Sequence, residues 1–336
     1  MPDNFQAVLV LSFGGPEKPD DVMPFLENVL RGKNVPRERM LEVAEHYYHF
    51  GGRSPINEQN RELIAALERE LNEHGPKLPV YWGNRNWHPM LADTLRQMRD
   101  NGVRRALVFV TSAFSSYSGC RQYLEDMDRA RAEVGAGAPE LEKLPAFNDH
   151  PGFVAAVAER VEEALATMPA ERRDRAALMF TAHSVPAAMA SSSPYVTQLR
   201  EACTRVAQAA GRAEWQLVYQ SRSGPPGQPW LEPDVLEALR TVRAERGEGA
   251  DVVVCPIGFI SDHMEVLYDL DTEAKALAGE LGLNMVRAGT PGVHPRFIAL
   301  IRELIARRVN GEVPAAFCAP DCCPAPRRPA GPPPRP

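Results

Sequence analysis

The stretch VVVCPIGFISDHMEVLYDLDTEAK, residues 252–275, joins an apolar run to an acidic, amphipathic one. The apolar part, 252–260, has the composition of a buried strand. In the part that follows, Glu265, Asp269 and Glu273 are four residues apart and form one acidic stripe along a helix. The apolar residues lie on a separate arc of the same helix, which indicates its core face: Val266, Leu267, Leu270, Ala274 and Leu277. The stretch therefore predicts a strand, a turn and a helix, with charged side chains where the strand ends.

The acidic stripe, Glu265, Asp269 and Glu273, has two interpretations. Charged helix faces usually meet solvent. Here, however, no lysine or arginine is interleaved between Asp262 and Glu273, and like charges four residues apart destabilise a helix by about 0.2–0.5 kcal/mol per pair. The stripe, with Asp262 at the helix start, also follows the end of a predicted strand, where α/β folds bind ligands. We therefore predict a cation site.

Length and composition predict a globular protein with two domains. The chain has 336 residues, of which 44% are hydrophobic and 24% charged. A net charge of -6 and a pI near 5.8 argue against a nucleic-acid partner. The sequence contains neither a secretory signal pattern nor a run of about 18 apolar residues. We expect a cytoplasmic monomer without a transmembrane segment, and peripheral contact with a membrane is left open.

Strand-like and helical runs alternate along the chain, which predicts parallel sheets built from βαβ units. The predicted strands cover residues 7–13, 79–83, 106–114, 177–182, 215–220, 252–260 and 284–287. The predicted helices between them cover residues 60–74, 89–101, 154–168, 194–210 and 233–246.

The two halves of the chain share motifs. LVLSFGGP (residues 9–16) parallels LMFTAHSVP (178–186), and LVFVTSAFSSYSG (107–119) parallels VVVCPIGFISDHME (252–265). We predict an α/β fold with two similar Rossmann-like domains, each a parallel sheet flanked by helices, and an active cleft between them. The predicted segments are the two domains, a cysteine segment and a disordered proline-rich tail, at 1–150, 151–313, 314–323 and 324–336.

His183 follows a predicted strand directly, and Pro186 prevents a helix from starting there. A lone histidine in such a place is usually structural. Together with the acidic stripe it provides imidazole and carboxylate, a normal ligand set for a divalent transition metal that also accepts protons near neutral pH. His263, beside Asp262, is either a second ligand or a residue held by that carboxylate, and we favour support of the ligands.

The sequence contains, in order along residues 5–323, the motifs LVLSFGGPEKPDDVMPFLENVLRG, HFGGRSPIN, SAFSSYSGCRQY, FTAHSVP, YQSRSGPPGQPWLEPDV and PIGFISDHMEVLYDLDTEAK. Together they resemble the ferrochelatases, which insert ferrous iron into a porphyrin in haem synthesis. The form with LSFGGPE and C-terminal cysteines is most similar to bacterial coproporphyrin III ferrochelatases. The resemblance implies a lyase-class metal chelatase whose substrates are Fe²⁺ and coproporphyrin III, with protoporphyrin IX as the alternative porphyrin.

The resemblance also implies roles for individual residues. His183 and Glu265 would meet the iron and take the pyrrole protons, and Asp269 and Glu273 would continue the line as a relay on a helix with a π-type distortion. Porphyrin contacts are implied for Ser54, Tyr123, Arg31 and Phe13. Many bacterial members have tyrosine where this chain has Phe13, so an oxygen ligand from that position is excluded.

Three cysteines crowd the end of the chain, Cys318, Cys322 and Cys323. In a reducing cytosol such a group favours metal binding over disulfides. The resemblance adds Cys120 as the fourth ligand of a two-iron two-sulfur cluster, with zinc or free thiols as alternatives. Cys203 and Cys255 are interpreted as small core residues.

Two other functions are alternatives. A cobalt or nickel chelatase acting on a sirohydrochlorin-type ring would share the architecture, but usually has histidine pairs in place of SDHMEVLYDLD. A non-catalytic haem-binding or metal-binding protein would bind porphyrin, whose spectrum would not change when iron is added.

Overall fold

The fold rests on two four-stranded parallel sheets, seen in a computed structural model that describes residues 4–32, 35–224, 227–312 and 321–325. The first sheet has the order β2-β1-β3-β4 and contains β1 (Ala7–Ser12), β2 (Val80–Asn84), β3 (Arg105–Val110) and β4 (Glu140–Lys143). The second has the order β6-β5-β7-β8 and contains β5 (Ala177–His183), β6 (Gln216–Gln220), β7 (Asp251–Cys255) and β8 (Asn284–Arg287). The same strand order in both sheets confirms the predicted pair of similar α/β halves.

Helices cover both faces of each sheet, which is why the central strands are apolar throughout. The first half contains α1 (Pro19–Leu30), α2 (Arg37–His49), α3 (Ile56–His74), α4 (Leu91–Asp100), a first π-helix (Tyr117–Arg121) and α5 (Gln122–Val134). The second half begins with α6 (Pro151–Ala166), α7 (Ala170–Arg173), α8 (Ala187–Ser191), α9 (Tyr195–Ala209) and α10 (Val235–Arg246). It continues with α11 (Met264–Val266), a second π-helix (Leu267–Ala274), α12 (Lys275–Glu280) and α13 (Pro295–Val309). None of the helices described is long and apolar enough to cross a membrane.

The predicted strands 106–114 and 252–260 end several residues early, at Val110 and Cys255, and one strand was missed. The run 252–260 stops being a strand at Cys255, because Pro256 cannot continue the ladder of a central strand. Residues 256–263 form a loop instead, so the charged residues after it sit on an irregular segment. The missed strand, β4, is a short edge strand of mixed charge, which carries no apolar signal.

The cores of the two halves are continuous. Four nearly fully buried rings pack together, with centroids 5.3 Å apart for Phe109 and Phe147, 5.9 Å for Phe147 and Phe153, and 5.7 Å for Phe147 and Phe297. They come from β3, the segment before α6, α6 itself and α13. The predicted boundary at residue 150 passes through this cluster, and the division into segments stays a prediction.

Helix α13, which belongs to the second half of the chain, contacts the first half. Arg308, near its end, pairs with Glu142 of β4 and lies 5.1 Å over the ring of Phe5. The Arg308 side chain is only 8% exposed and that of Glu142 only 16%. The pair therefore joins the end of the second half to the edge of the first sheet.

Arg308→Ala is expected to lower the free energy of unfolding by about 1.5–3 kcal/mol, because it removes charge-assisted hydrogen bonds to the Glu142 carboxylate, which keeps Arg105 as a partner at 3.0 Å. Urea denaturation followed by circular dichroism measures the loss. Arg296→Ala is the control: its pair with Glu159 is more exposed, and we expect a loss of under about 1 kcal/mol. Equal losses in both variants would contradict the assignment.

Candidate active site

The carboxyl ends of β5 and β6 and the loop after β7 meet at one edge of the second sheet. His183 ends β5 and is paired in register with Gln220, which ends β6. The loop 256–263 folds back onto β5, where the backbone N–H of Gly258 donates to the carbonyl of Thr181 at 3.0 Å. This packing brings the start of the acidic helix to His183.

His183 and Glu265 face each other, with 3.6 Å between His183 Nε2 and Glu265 Oε1. His183 Nδ1 contacts the carbonyl of Ser184, which makes Nδ1 the protonated nitrogen and leaves Nε2 directed at Glu265. The Tyr195 hydroxyl donates to the His183 carbonyl at 3.0 Å and fixes the backbone. The structure thus brings the two predicted metal-binding residues together, with Nε2 as the nitrogen that faces Glu265.

For both residues of this pair, burial and the neighbouring charge shift the pKa in opposite directions. Burial lowers the pKa of His183, but the Glu265 carboxylate, together with the Ser184 carbonyl and the Asp269 carboxylate, raises that pKa above its usual range. Burial likewise raises the pKa of Glu265, and His183 more than reverses the effect and lowers it. Without metal, the two side chains therefore form an imidazolium–carboxylate pair near neutral pH. A cation that binds Nε2 has to displace that proton.

His263 lies behind Glu265. Its Nδ1 accepts from the backbone N–H of Glu265 at 3.2 Å, so the ring caps the helix that carries Glu265. The ring also packs edge-on against Phe259, with centroids 4.8 Å apart. Burial lowers the pKa of His263, which keeps the ring neutral and able to accept. These contacts agree with the supporting role favoured for His263, which stays a prediction.

Asp262 does not belong to the stripe. The helix begins at Met264, so Asp262 lies in the preceding loop, where its carboxylate binds Arg287. The sequence placed Asp262 at the helix start on the acidic face. The position at the helix start is wrong, because the loop continues through His263 and the helix begins only at Met264.

The second π-helix carries the rest of the acidic stripe. A π-helix has more residues per turn than an α-helix, so residues four apart fall closer to a whole turn and drift less. Asp269 accepts from the Ser221 hydroxyl and from Gln220 Nε2, the latter at 3.3 Å. Burial raises the pKa of Asp269 to about 7, with Glu265 and Glu273 adding to the rise against these two bonds.

Glu273 is the outer end of the stripe. Its pKa is raised by burial and by the nearby carboxylate of Asp234, the N-cap of α10. The carboxylates of Glu265, Asp269 and Glu273 thus run outward from His183. Neither Gln220 nor Ser221 was singled out from the sequence, although both lie in the quoted motif YQSRSGPPGQPWLEPDV.

The four residues predicted to contact porphyrin lie in the first half. Ser54 is buried and packs closely against Gly15, in the turn after β1. The contact is so close that a Cβ added to Gly15 would lie 2.8 Å from the Ser54 Cβ. Phe13 is 37% exposed and packs edge-on against Phe25. Arg31 is exposed at the end of α1 and donates to Asn28.

Tyr123, the fourth of these residues, is only 5% exposed, and the Arg85 guanidinium lies 4.4 Å from its ring. Arg85 also pairs with Asp126 and lies 5.9 Å from the ring of Phe13. Phe13, Arg85 and Tyr123 therefore form one stack beside the turn after β1.

A ring stack joins a helix of the first half to the second π-helix. The ring of His46, on α2, stacks on Tyr268 of the second π-helix, with centroids 3.7 Å apart and planes 7° from parallel. Helices α1 and α2 have their own small apolar cluster, which includes Val22, Phe25 and Met40. The stack therefore joins this helical pair to the acidic helix, a contact the sequence did not predict.

The cysteine segment is tied to the first π-helix. Arg121, next to Cys120, donates from Nε and Nη2 to the carbonyl of Cys322, at 3.1 and 2.9 Å. The sulfurs of Cys322 and Cys323 are 3.7 Å apart, and Cys120 and Cys323 are buried. Cys318 and the tail from 326 lie outside the described residues. Among the residues that are described, no three His, Cys, Asp or Glu side chains form a group that could hold a metal ion.

Gly258→Ala is expected to lower kcat by about 10²-fold, since displacing a catalytic group by about 1 Å has that effect. A Cβ at this position would lie 2.7 Å from the backbone Cα of Ala182, next to His183, so the loop would have to move. Steady-state kinetics measure the change. Gly279→Ala is the control: nothing lies within 4 Å of its Cβ, and in α12 it should stabilise by about 0.5–1 kcal/mol. Normal kcat in Gly258→Ala would refute the packing argument.

Known proteins are similar to almost the whole length of this chain. The ferrochelatase family model matches residues 5–309. A ferrochelatase from Rhodopirellula baltica is 56% identical, over 97% of this chain and 95% of its own. A coproporphyrin III ferrochelatase from Nocardia farcinica is 54% identical, over 97% of this chain and 98% of its own.

Solved structures show the same fold at low sequence identity. SirB from Bacillus subtilis with Fe³⁺ superposes with a TM-score of 0.58 at 10% identity, over 92% of this chain and 97% of its own. A sirohydrochlorin chelatase SirB with cobalt, from subspecies spizizenii, gives 0.55 at 11% identity, over 91% and 96%. At 10% and 11% identity, these similarities show the fold alone. By the sequence relationships, the chain belongs to the ferrochelatase family.

Proposed function

We propose that this chain inserts Fe²⁺ into coproporphyrin III and forms Fe-coproporphyrin III, coproheme. The observation that carries the proposal is the pair of His183 Nε2 and Glu265 Oε1, 3.6 Å apart at the carboxyl end of the second sheet. In the reaction, two pyrrole N–H protons leave the ring as one Fe²⁺ ion enters. The site must therefore hold a divalent cation and accept protons at the same place.

His183 and Glu265 serve both needs. Nε2 and the carboxylate are two ligand atoms for Fe²⁺ before it enters the ring. Once the iron has passed to the pyrrole nitrogens, Nε2 of His183 takes one of the two released protons and restores the imidazolium–carboxylate pair, and the second proton passes through the Glu265 carboxylate to the carboxylates beyond it. We propose Asp269 and Glu273 as the relay that follows. The raised pKa of Asp269, about 7, suits a group that accepts and releases protons near neutral pH.

The remaining site residues are proposed to bind the porphyrin. Phe13 offers an exposed apolar ring but no ligand atom, so we propose that it packs against the macrocycle and does not ligate the iron. Ser54, Tyr123 and Arg31 are proposed contacts, with Arg31 available to a propionate carboxylate of the substrate. Asp262 and His263 are proposed to support Glu265 and not to bind metal.

The choice of coproporphyrin III over protoporphyrin IX rests on the names of relatives. Proteins from Nocardia farcinica, Mycolicibacterium smegmatis and Streptomyces coelicolor, each named coproporphyrin III ferrochelatase, are 54%, 54% and 49% identical to this chain. The test mixes purified protein anaerobically with Fe²⁺ and either porphyrin, and follows the porphyrin absorbance. We expect faster metallation of coproporphyrin III. Faster metallation of protoporphyrin IX would reverse the choice, and metallation of neither would refute the proposed activity.

We propose in addition that Cys120, Cys318, Cys322 and Cys323 hold a two-iron two-sulfur cluster. Two contacts support the proposal: Arg121, the residue after Cys120, donates to the carbonyl of Cys322, and the sulfurs of Cys322 and Cys323 are 3.7 Å apart. Four thiolates are a normal ligand set for such a cluster. When bound, it supplies a redox-active centre and a covalent link between the two segments.

The absorbance spectrum of protein purified without oxygen tests the cluster. We expect visible charge-transfer bands that are lost in Cys120→Ser and retained in Cys203→Ser, whose thiol lies in the core. A colourless protein with four titratable thiols at these positions would refute the cluster.

We also propose that the protein is a cytoplasmic monomer. Light scattering after size-exclusion chromatography tests the oligomeric state.

A further inference from the structure

We propose that Arg287, at the end of β8, is a positioning residue that fixes the place of Glu265. The inference rests on the proposed role of Glu265 in meeting the iron. Arg287 does not contact Glu265 and belongs to none of the motifs that identify the family resemblance. Its importance follows from the two carboxylates it binds.

Arg287 is held between two segments of the acidic region. Its Nη1 and Nη2 donate to Asp262 Oδ1 and Oδ2, both at 3.2 Å, in a bidentate contact. Its Nε donates to Asp271 Oδ1 at 2.7 Å. The side chain is only 16% exposed, so solvent screens these bonds weakly and their geometry is confined.

The two partners of Arg287 flank Glu265 in the chain. Asp262 lies in the loop before α11, and Asp271 lies in the second π-helix. One rigid guanidinium therefore fixes the loop that leads to Glu265 and the helix that leads away from it. The end of β8 supplies the rigid support, because Arg287 is paired in register with Val254 of the buried strand β7.

A further hydrogen bond of Asp262 joins the loop to the first half of the molecule. The backbone N–H of Asp262 donates to the side-chain oxygen of Gln59, on α3, at 2.8 Å. Arg287 holds the side chain of Asp262 while Gln59 holds its backbone. The position of Glu265 is thereby set relative to both halves, between which the substrate has to bind.

Arg287 also divides the carboxylates into two groups. Asp262 and Asp271 are bound by the guanidinium, whereas Glu265 has His183 as its ion-pair partner and lies 3.9 Å from the neutral ring of His263. The negative charge of Asp262 and Asp271 is thereby partly compensated, and Glu265 is left for a cation. Removing Arg287 would release two uncompensated carboxylates beside the metal path and loosen the segment that carries Glu265.

The test compares Arg287→Gln with a matched control, Arg172→Gln. Arg172 makes a similar bidentate contact, to Asp251 at 2.8 and 2.7 Å, at the opposite end of the same sheet. Both variants lose a partly buried arginine–aspartate pair, so both should have lower melting midpoints. For Arg287→Gln alone we expect kcat/KM for Fe²⁺ to fall by about 10-fold to 100-fold, the usual effect of losing a partner that orients a metal ligand. The KM for porphyrin should stay within about 2-fold of the wild-type value in both.

Asp271→Asn provides a milder variant if Arg287→Gln does not fold, because the bidentate contact to Asp262 is retained. It should reduce kcat/KM for Fe²⁺ less than Arg287→Gln does, again with an unchanged porphyrin KM. Unaltered kcat/KM for Fe²⁺ in the folded Arg287 and Asp271 variants would overturn the inference, as would an equal loss in Arg172→Gln. Glu265→Gln belongs in the same series: if it is fully active, the proposed function of Glu265 has failed, not only the role of Arg287.

Discussion

Glu265→Gln is expected to reduce kcat by about 10²–10⁴-fold, the range for losing a positioned acid–base group. The amide keeps the size of the side chain but cannot take a proton, and it is a weaker ligand for Fe²⁺. It also removes the charge that raises the pKa of His183. Both members of the pair are therefore altered by this one change.

The measurement is anaerobic steady-state metallation with Fe²⁺, with porphyrin binding followed separately by fluorescence quenching. Porphyrin affinity and the melting midpoint should stay close to wild type, because Glu265 lies at the cleft surface with a 47% exposed side chain. Glu280→Gln, on the exposed part of α12, is the control for removing one acidic charge nearby and should be fully active. A kcat of Glu265→Gln within 10-fold of the wild-type value would argue against the assignment.

His183→Ala is expected to reduce kcat/KM for Fe²⁺ by a similar factor, about 10²–10⁴-fold. Nε2 is removed as a ligand atom, and Glu265 loses the partner that lowers its pKa. The backbone of β5 should keep its register, because the bond from the Tyr195 hydroxyl reaches the carbonyl of residue 183 and not the imidazole. The fold should therefore survive the substitution.

Circular dichroism establishes the fold of His183→Ala before the kinetics are measured. His74→Ala is the matched control, since His74 is exposed at the C-terminal end of α3 in the other half. It should be indistinguishable from wild type. Activity of His183→Ala comparable to that of His74→Ala would show that the imidazole has no part in metal insertion.

The predicted fold came from signals that are local and strong. Buried parallel strands are nearly continuous apolar runs, so β1, β5 and β7 were found from composition alone, and the repeat of motifs indicated that two similar sheets exist. Strand β4 was missed because its residues, Glu140–Lys143, are polar and only partly buried. The end of β7 was misplaced because Ile257 and Ile260 are as buried in the loop as they would be in a strand.

The candidate site was predicted in part for a similar reason. His183 and Glu265 follow strands that are neighbours in the sheet, and the carboxyl ends of parallel strands lie at one edge. The partner of Asp262 was not predicted because Arg287 lies 25 residues further on. In the sequence, Arg287 does not differ from an arginine on the surface. Its proximity to Asp262 follows only from the sheet order, in which β8 lies beside β7.

Other parts of the site depend on backbone geometry that composition does not encode. The π-type turns of Leu267–Ala274 were expected only from the family resemblance, since the residues themselves fit an α-helix equally well. The His46–Tyr268 stack joins residues more than 200 positions apart, and neither residue carries a spacing signal. Gln220 and Ser221 bind Asp269 only because β6 ends beside the second π-helix.

The central claim is that His183 and Glu265 act together on one Fe²⁺ ion, and a double-variant comparison tests it most directly. Porphyrin is bound to wild type, to each single variant and to His183→Ala/Glu265→Gln, Fe²⁺ is added under single-turnover conditions, and the rate of the absorbance change is recorded. Residues that act as a unit give strongly non-additive losses. We predict that the double variant is about as slow as either single variant. A rate in the double variant equal to the product of the two single losses, or single variants that insert iron at the wild-type rate, would contradict the claim.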